Sequence, residues 1–268
     1  MIASTEDLSL QIKEQGYCLL RDVIPSDQVE RVRADVLGVV DKYKYERTDA
    51  PPRIGAVSGL IRFTQSFAPY LLDSRLASLC RSLLGEHYRV SYTSSIVNFP
   101  GNDRGGWHSD WPFNQHNGGH IEAPYAAVLM HLTTLWMLSP FTHENGGTLI
   151  APGTHREPDN PTGNNGVSPE IVLDKEKTLV GSAGTIAVLD SRLWHATAVN
   201  GSKNPRVGMA IRFAPWWLNL DTLMPESDER CRMADERGMR ENLVPPVPRE
   251  VFDRLQEGVK PLFRHWLQ

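Results

Sequence analysis

Trp107-His108-Ser109-Asp110 is the stretch on which the reading of this chain turns. In extended backbone successive side chains point to opposite faces, so His108 and Asp110, two residues apart, project together and Ser109 away from them. One segment thus brings an imidazole and a carboxylate to a single point. With a second imidazole from elsewhere they would make two histidines and one carboxylate on one face of an octahedral metal. That donor set suits Fe(II) and leaves three positions open for reactants.

Local spacing does not single out this pair. His120-Ile121-Glu122 and His155-Arg156-Glu157 offer the same ligand types, and a chain with nine histidines is expected to hold about half a His-x-Asp match by chance. Position along the chain decides. The 86 residues between His108 and a further histidine, His195, suffice to run around a barrel and return beside the first segment. Only 39 separate His155 from His195, and His155 sits just past the turn-forming Ala151-Pro152-Gly153-Thr154.

Around His195 the sequence is β-rich from Gly184 to Asp190 and again from Leu193 to Val199. Asn200-Gly201-Ser202-Lys203-Asn204-Pro205 then supplies turn formers before another strand begins at Arg206. The spacing predicts a hairpin carrying His195 and Arg206. His195, Thr197 and Val199 would share one face, while Arg206, Gly208, Ala210 and Arg212 alternate on the returning strand. A guanidinium beside small residues binds a carboxylate through two parallel charge-assisted hydrogen bonds, and 2-oxoglutarate offers such a carboxylate while its 2-oxo acid end chelates Fe(II). The Thr197 hydroxyl is placed to donate to the same carboxylate.

These residues and their flanks resemble the phytanoyl-CoA dioxygenase family of Fe(II)/2-oxoglutarate oxygenases, which includes ectoine hydroxylase. Gln15-Gly16-Tyr17-Cys18-Leu19-Leu20-Arg21 is similar to the family's opening strand, and Ile96-Val97-Asn98-Phe99-Pro100-Gly101 to the strand before its metal motif. Glu144 to Leu149 and Pro152-Gly153-Thr154-His155 resemble its Asn-Gly and Pro-Gly-Ser-His signatures. Thr154 and Ser139-Pro140 depart from the family's pattern, in loops away from the metal motif.

The resemblance implies a mainly β fold, a double-stranded β-helix (a jelly-roll, cupin-like barrel) with flanking α-helices. It implies His108, Asp110 and His195 as iron ligands, Arg206 as the 2-oxoglutarate anchor, and Asn98 and Thr197 as further cosubstrate contacts. The implied chemistry is oxidative decarboxylation of 2-oxoglutarate by dioxygen, giving succinate and carbon dioxide, with hydroxylation of a substrate C–H bond. Related halogenases carry Ala or Gly where this chain has Asp110, so the carboxylate favours hydroxylation over halogenation. The competing expectation is a cupin-like metal-binding isomerase or binding protein that does not use 2-oxoglutarate, in which Arg206 would be a structural ion-pair partner.

Composition fits one catalytic domain over residues 1–268. With 268 residues, 40% of them hydrophobic, the chain can bury one sizeable core. Helical elements are expected over about 1–85 and about 221–268. A net charge of -4 without any Lys/Arg block argues against nucleic acid and against an anionic membrane surface, leaving a small-molecule substrate and a monomer or homodimer. Cys18, Cys80 and Cys231 fit neither a disulfide framework nor a zinc motif. The first residues carry no basic-then-apolar leader pattern, so a reducing cytoplasm is the expected setting.

Ser26 caps an expected amphipathic helix through Val40, and a second helix is expected over 73–84. Residues 44–60 read as a loop, and Arg156 to Val167 as a surface loop placed to gate the site. A charged helix-prone stretch over 221–240 precedes a final amphipathic one, with Val251, Leu255, Val259 and Leu262 in phase against the barrel. Trp194, Trp216 and Trp217 read as packing residues, and Trp107 and Trp111 equally as packing or site residues. Phe113 and Gln115 are substrate-contact candidates. His116, His120, His131 and His143 read as surface or hydrogen-bonded histidines.

Overall fold

Strand β9 (Arg206–Ala214) organises the architecture because both of its faces are buried. It lies between β4 (Leu132–Met137) and β3 (Arg89–Asn98) in a six-stranded antiparallel sheet ordered β1-β7-β4-β9-β3-β2. The remaining strands are β1 (Tyr17–Leu20), β2 (Ile54–Gly55) and β7 (Ile186–Asp190). A smaller antiparallel sheet, β6-β5-β8, comprises Lys177–Thr178, Leu149–Ile150 and His195–Ala196. The computed structural model describes residues 4–43, 53–111, 128–157, 161, 167–237 and 243–268.

Register sorts the larger sheet into two faces. Tyr92, Ser94, Ile96 and Asn98 lie opposite Arg212, Ala210, Gly208 and Arg206. Thr133, Leu135 and Met137 flank the same β9 residues, and Ala187 and Leu189 continue the row. This is the barrel interior, where Leu135, Met137, Ala187, Leu189 and Ala210 cluster with Ile150 of the smaller sheet. The opposite face, Val207, Met209, Ile211 and Phe213 on β9, joins a second core with the helices. Two antiparallel sheets closing on a shared interior, with non-sequential neighbours such as β1 beside β7, form the expected jelly-roll barrel.

The helices cover that outer face. α1 (Thr5–Gln15) opens on a capping box between Ser4 and Asp7 and ends on Gly16, whose φ of 87° suits a residue without Cβ. α2 (Val29–Tyr43) buries Val29, Val32, Val36, Val39 and Val40, each contributing about 1.5–3 kcal/mol if fully transferred from water. It starts three residues after the expected Ser26 cap, because a turn precedes it. α3 (Ser74–Leu84) matches expectation, with the Asp73 carboxylate accepting from the Arg75 and Leu76 amides.

The C-terminal section contains α4 (Asp228–Arg237), α5 (Arg249–Arg254) and α6 (Lys260–Phe263). Val251, Leu255, Val259 and Leu262 are all buried as the phase predicts, but the stretch is broken between α5 and α6 rather than continuous. Trp266 donates its indole N–H to the Val90 carbonyl at 2.7 Å. One hydrophobic core includes both Leu8 and Trp266, so elements from both ends of the described chain contribute to it.

Three expectations need correction. His195 and Arg206 do not form a hairpin: β8 belongs to the small sheet and β9 to the large one, so the chain crosses the barrel between them. His108 occupies a single antiparallel bridge to His195 rather than a strand. Trp216 and Trp217, read as packing residues, are exposed (61% and 49%), because Pro215 ends β9 and both sit on the following turn, where no strand covers them. Phe113, Gln115, His116, the His120-Glu122 pair and most of the 156–167 loop lie outside the described residues, as do residues 44–52 of the loop expected over 44–60.

Candidate metal centre and cosubstrate pocket

The His108–His195 bridge sets the centre. Reciprocal backbone bonds, His108 N–H to the His195 carbonyl at 3.0 Å and the reverse at 2.9 Å, put the rings 4.3 Å apart. Asp110 is fastened two residues on by its own N–H to the Ser191 carbonyl at 2.8 Å. One ligand atom from each of His108, Asp110 and His195 then falls within 4.8 Å of the others, and His195 Nε2 lies 3.6 Å from Asp110 Oδ2.

The tautomers suit a metal. His195 Nδ1–H donates to the Leu193 carbonyl (2.9 Å) and His108 Nδ1–H to the Gly106 carbonyl (3.2 Å), so each Nε2 keeps its lone pair for the centre. His108 is pushed below the ordinary imidazole value, first by desolvation in the surrounding protein and then by repulsion from His195; its solvent-exposed edge moderates the first cause. It therefore stays neutral, as a ligand must. Burial alone would raise the Asp110 carboxyl, but Arg212, the two imidazoles and the Thr133 hydroxyl together hold it well below the usual carboxylate range.

Asp110 is gripped on both oxygens. Arg212 donates to Oδ1, and Thr133 donates to Oδ2 at 2.7 Å. Arg212 also stacks over the Tyr92 ring, 4.6 Å from its centroid. Its inward side was legible from alternation with Arg206. Its ion pair with Asp110 was not, since nothing in the spacing connects positions 102 apart.

Arg206 lies on the same interior row, 2% exposed, with its guanidinium 4.4 Å from the Phe141 ring centroid. Its Nε has no hydrogen-bond partner, and no ion pair engages it among the described residues. A Cβ at Gly208 would sit 3.5 Å from Arg206 Nη1 and 3.0 Å from Phe141, so the missing side chain makes the space over which the guanidinium lies. A buried cation in apolar surroundings calls for an anion. The residues thus fit both a metal with open positions and a carboxylate-bearing cosubstrate.

Asn98 pairs with Arg206 in the sheet, but its amide N–H groups point to the Ala198 carbonyl (2.9 Å) and towards that of Gly146 (3.4 Å), leaving Oδ1 buried and unpartnered. Thr197 is half-buried on a cavity of about 210 Å³ with Arg53, Ile54, Asn102, Asp103, Arg104 and Gly105. His155 is accounted for structurally: Nε2 bonds the Lys13 carbonyl at 3.0 Å, and Glu157 pairs with Lys175. Trp107 is buried with Trp194 and Leu149 and donates to the Ile171 carbonyl, a packing role. The departures from the family's loop pattern are also absorbed. Thr154 accepts from Trp194 N–H, and Ser139 accepts from Val207 N–H.

Two histidines and a carboxylate in a jelly-roll barrel, with an arginine on the same interior row that no carboxylate engages among the described residues, define a non-haem iron oxygenase. Residues 12–208 match the phytanoyl-CoA dioxygenase (PhyH) family, and the chain belongs to it. Among relatives, dioxygenase af480 of Aspergillus fumigatus is 26% identical over 260 residues, covering 92% of this chain and 76% of its own. The iron/alpha-ketoglutarate-dependent dioxygenase ausO of Aspergillus calidoustus is 26% identical over 199 residues, covering 69% of this chain and 63% of its own. The fold is shared with the carbocyclase SnoK of nogalamycin biosynthesis (TM-score 0.61, 18% identity, 80% of this chain and 85% of that one). It is also shared with the epimerase SnoN, solved with Fe3+, alpha ketoglutarate and nogalamycin RO (TM-score 0.59, 17% identity, 79% and 83%).

Proposed function

We propose that this protein is an Fe(II)- and 2-oxoglutarate-dependent dioxygenase that hydroxylates a C–H bond of a small molecule, with His108, Asp110 and His195 as the iron ligands. Arg206 holds the distal carboxylate of 2-oxoglutarate through its guanidinium fork. The observation that carries the proposal is the contrast between two arginines on one interior row: Arg212 has the Asp110 carboxylate, and among the described residues Arg206 has no carboxylate partner. A metal-only isomerase would leave that buried charge unexplained.

Bound iron, 2-oxoglutarate and dioxygen supply the oxidising power, one oxygen atom entering succinate and the other the substrate, with loss of carbon dioxide. The chain's own residues do the rest. The Leu193 and Gly106 carbonyls aim the imidazoles, and Arg212 and Thr133 keep Asp110 ionised and fixed. Phe141, Met137 and Leu135 form a dry wall beside the cosubstrate. Asn98, whose donors tie Ala198 to β3, sets the wall opposite Arg206, and Thr197 offers a hydroxyl. His108 is the exposed member of the triad, and substrate enters from its side.

The whole of residues 1–268 acts as one catalytic domain in this proposal, supported by a hydrophobic core whose members run from Leu8 to Trp266. A reducing cytoplasm, which keeps iron ferrous, is the proposed setting, and no helix among the described residues is long and apolar enough to cross a membrane. The protein works as a monomer or homodimer. Mixed anaerobically with Fe(II) and 2-oxoglutarate, it should develop a weak visible charge-transfer band and, on exposure to oxygen, form succinate. Absence of the band at saturating concentrations refutes the assignment.

A further inference from the structure

Beyond Thr133, which already holds Asp110, runs a buried file of polar side chains with no role in the reaction as set out above. Thr133 Oγ1 contacts Asp110 Oδ2 (2.7 Å) and Ser191 Oγ (2.8 Å). Ser191 Oγ contacts His131 Nδ1 (2.7 Å), and His131 Nε2 contacts Ser91 Oγ (2.7 Å). All four residues are buried, none more than 1% exposed. Four polar groups at such depth are costly unless every donor meets an acceptor, and here each link is short.

The direction of every link follows from the carboxylate. An ionised Asp110 only accepts, so the Thr133 hydroxyl gives its proton there and must accept from Ser191. Ser191 has then used its own proton and must accept from His131 Nδ1–H. His131 Nε2 is left as the acceptor for the Ser91 hydroxyl. Only the neutral imidazole, in one tautomer, closes this order, and burial pushes His131 down to about 3, which keeps it neutral at working pH. Ser191 also accepts the Asp110 and Trp111 amides on its carbonyl, so one residue fixes Asp110 by backbone and side chain together.

We propose, on the basis of the iron ligation above, that Ser91, His131, Ser191 and Thr133 form a one-directional hydrogen-bond relay in which His131 is a positioning residue for the metal ligand Asp110. With Arg212 on Oδ1, the relay on Oδ2 keeps the carboxylate from rotating and sets its strength as a ligand. Groups of this kind behind a metal ligand typically change metal affinity by roughly 10–100-fold.

The test is anaerobic titration of the apoprotein with Co(II), whose visible bands report ligand geometry as well as occupancy. His131→Phe and Thr133→Val should each weaken Co(II) binding by roughly 10–100-fold and alter the bands. The double variant should bind no more weakly than the worse single one, because both break the same file. His131→Asn, whose amide N–H replaces Nδ1–H, should recover most of the affinity. Wild-type affinity in His131→Phe, or losses that multiply in the double variant, overturns the relay. If His131→Phe does not fold, Ser191→Ala cuts the file at its middle and must give the same loss, coupled in the same way to Thr133→Val; an unchanged affinity overturns the relay equally. Failure of the wild type to bind Co(II) or Fe(II) instead overturns the ligation itself.

Discussion

Replacing Arg206 with methionine should make the apoprotein more stable while removing 2-oxoglutarate binding. Burial lowers the guanidinium from an ordinary 12.5 to about 10, which corresponds to about 3 kcal/mol of destabilisation at neutral pH. Methionine keeps an apolar chain of similar length against Phe141 and carries no charge to desolvate. A gain of about 1–3 kcal/mol at about 2–4 °C per kcal/mol raises the melting temperature by several degrees. Loss of a buried charge-assisted pair costs about 3–5 kcal/mol of binding, a fall of about 100- to 1000-fold or more in 2-oxoglutarate affinity. The assay is thermal melting with Mn(II), without and with 2-oxoglutarate at about 100 times its wild-type Kd, where the wild type should gain about 2.7 kcal/mol. A variant that melts lower than wild type without ligand, or that still gains stability from 2-oxoglutarate, refutes the assignment of Arg206.

Acid should weaken the fold in two stages. His131 is neutral when folded but takes a proton near pH 6.5 when unfolded, so its contribution is complete above pH 6.5 and is lost at about 1.4 kcal/mol per pH unit as the pH falls toward 3. Asp110, held below the usual carboxylate range, contributes above about pH 4 and loses that contribution only below it. Urea unfolding at pH 7, 5.5 and 4.5 should therefore decline throughout; a flat profile is the contrary result. Asp110→Ala should abolish Co(II) binding and lower apoprotein stability by about 1–3 kcal/mol, because part-buried Arg212 loses this carboxylate; equal urea midpoints for the two proteins would count against that pairing. Gly146→Ala should destabilise by about 1–3 kcal/mol, since its φ is 75° and an added Cβ would lie 2.5 Å from Asn98 Nδ2 and 2.8 Å from the Val199 carbonyl; denaturation measures this directly, and an unchanged midpoint speaks against the crowding.

The sequence carried the ligand types and the barrel but not the pairings that close it. That His108 and Asp110 project together was legible because alternation is a local property, but preferring them to His155 took the 86-residue separation from His195, and Arg206 stood out through the family resemblance. The hairpin failed because Asn200 to Pro205 specify only that the chain turns, and the sheet joined by the next strand is fixed by packing of its outer face, Val207, Met209 and Ile211, against the helices. Arg212 was visible on the Arg206 side of its strand, but its pairing with Asp110 was not. Ser91 and Thr133 left a fainter mark, polar residues inside buried strands, while His131 and Ser191 lie just outside strands and their connection spans 60 residues. Trp216 and Trp217 misled because large apolar residues usually pack, a tendency that a turn after Pro215 overrides.

The bridge between His108 and His195 belongs to the small-sheet side of the barrel, whereas Asp110 is bound to the large sheet through Thr133 and Arg212. A metal held by all three would rivet the two sheets to one another. Loss of the ion and breathing of the barrel then become one event, and amide exchange at β5 and β8 should slow on metal loading well beyond the exchange at β3 and β9. In evolutionary terms, any substitution that loosens the seam between the sheets is also a substitution in the metal's affinity, wherever along the seam it falls.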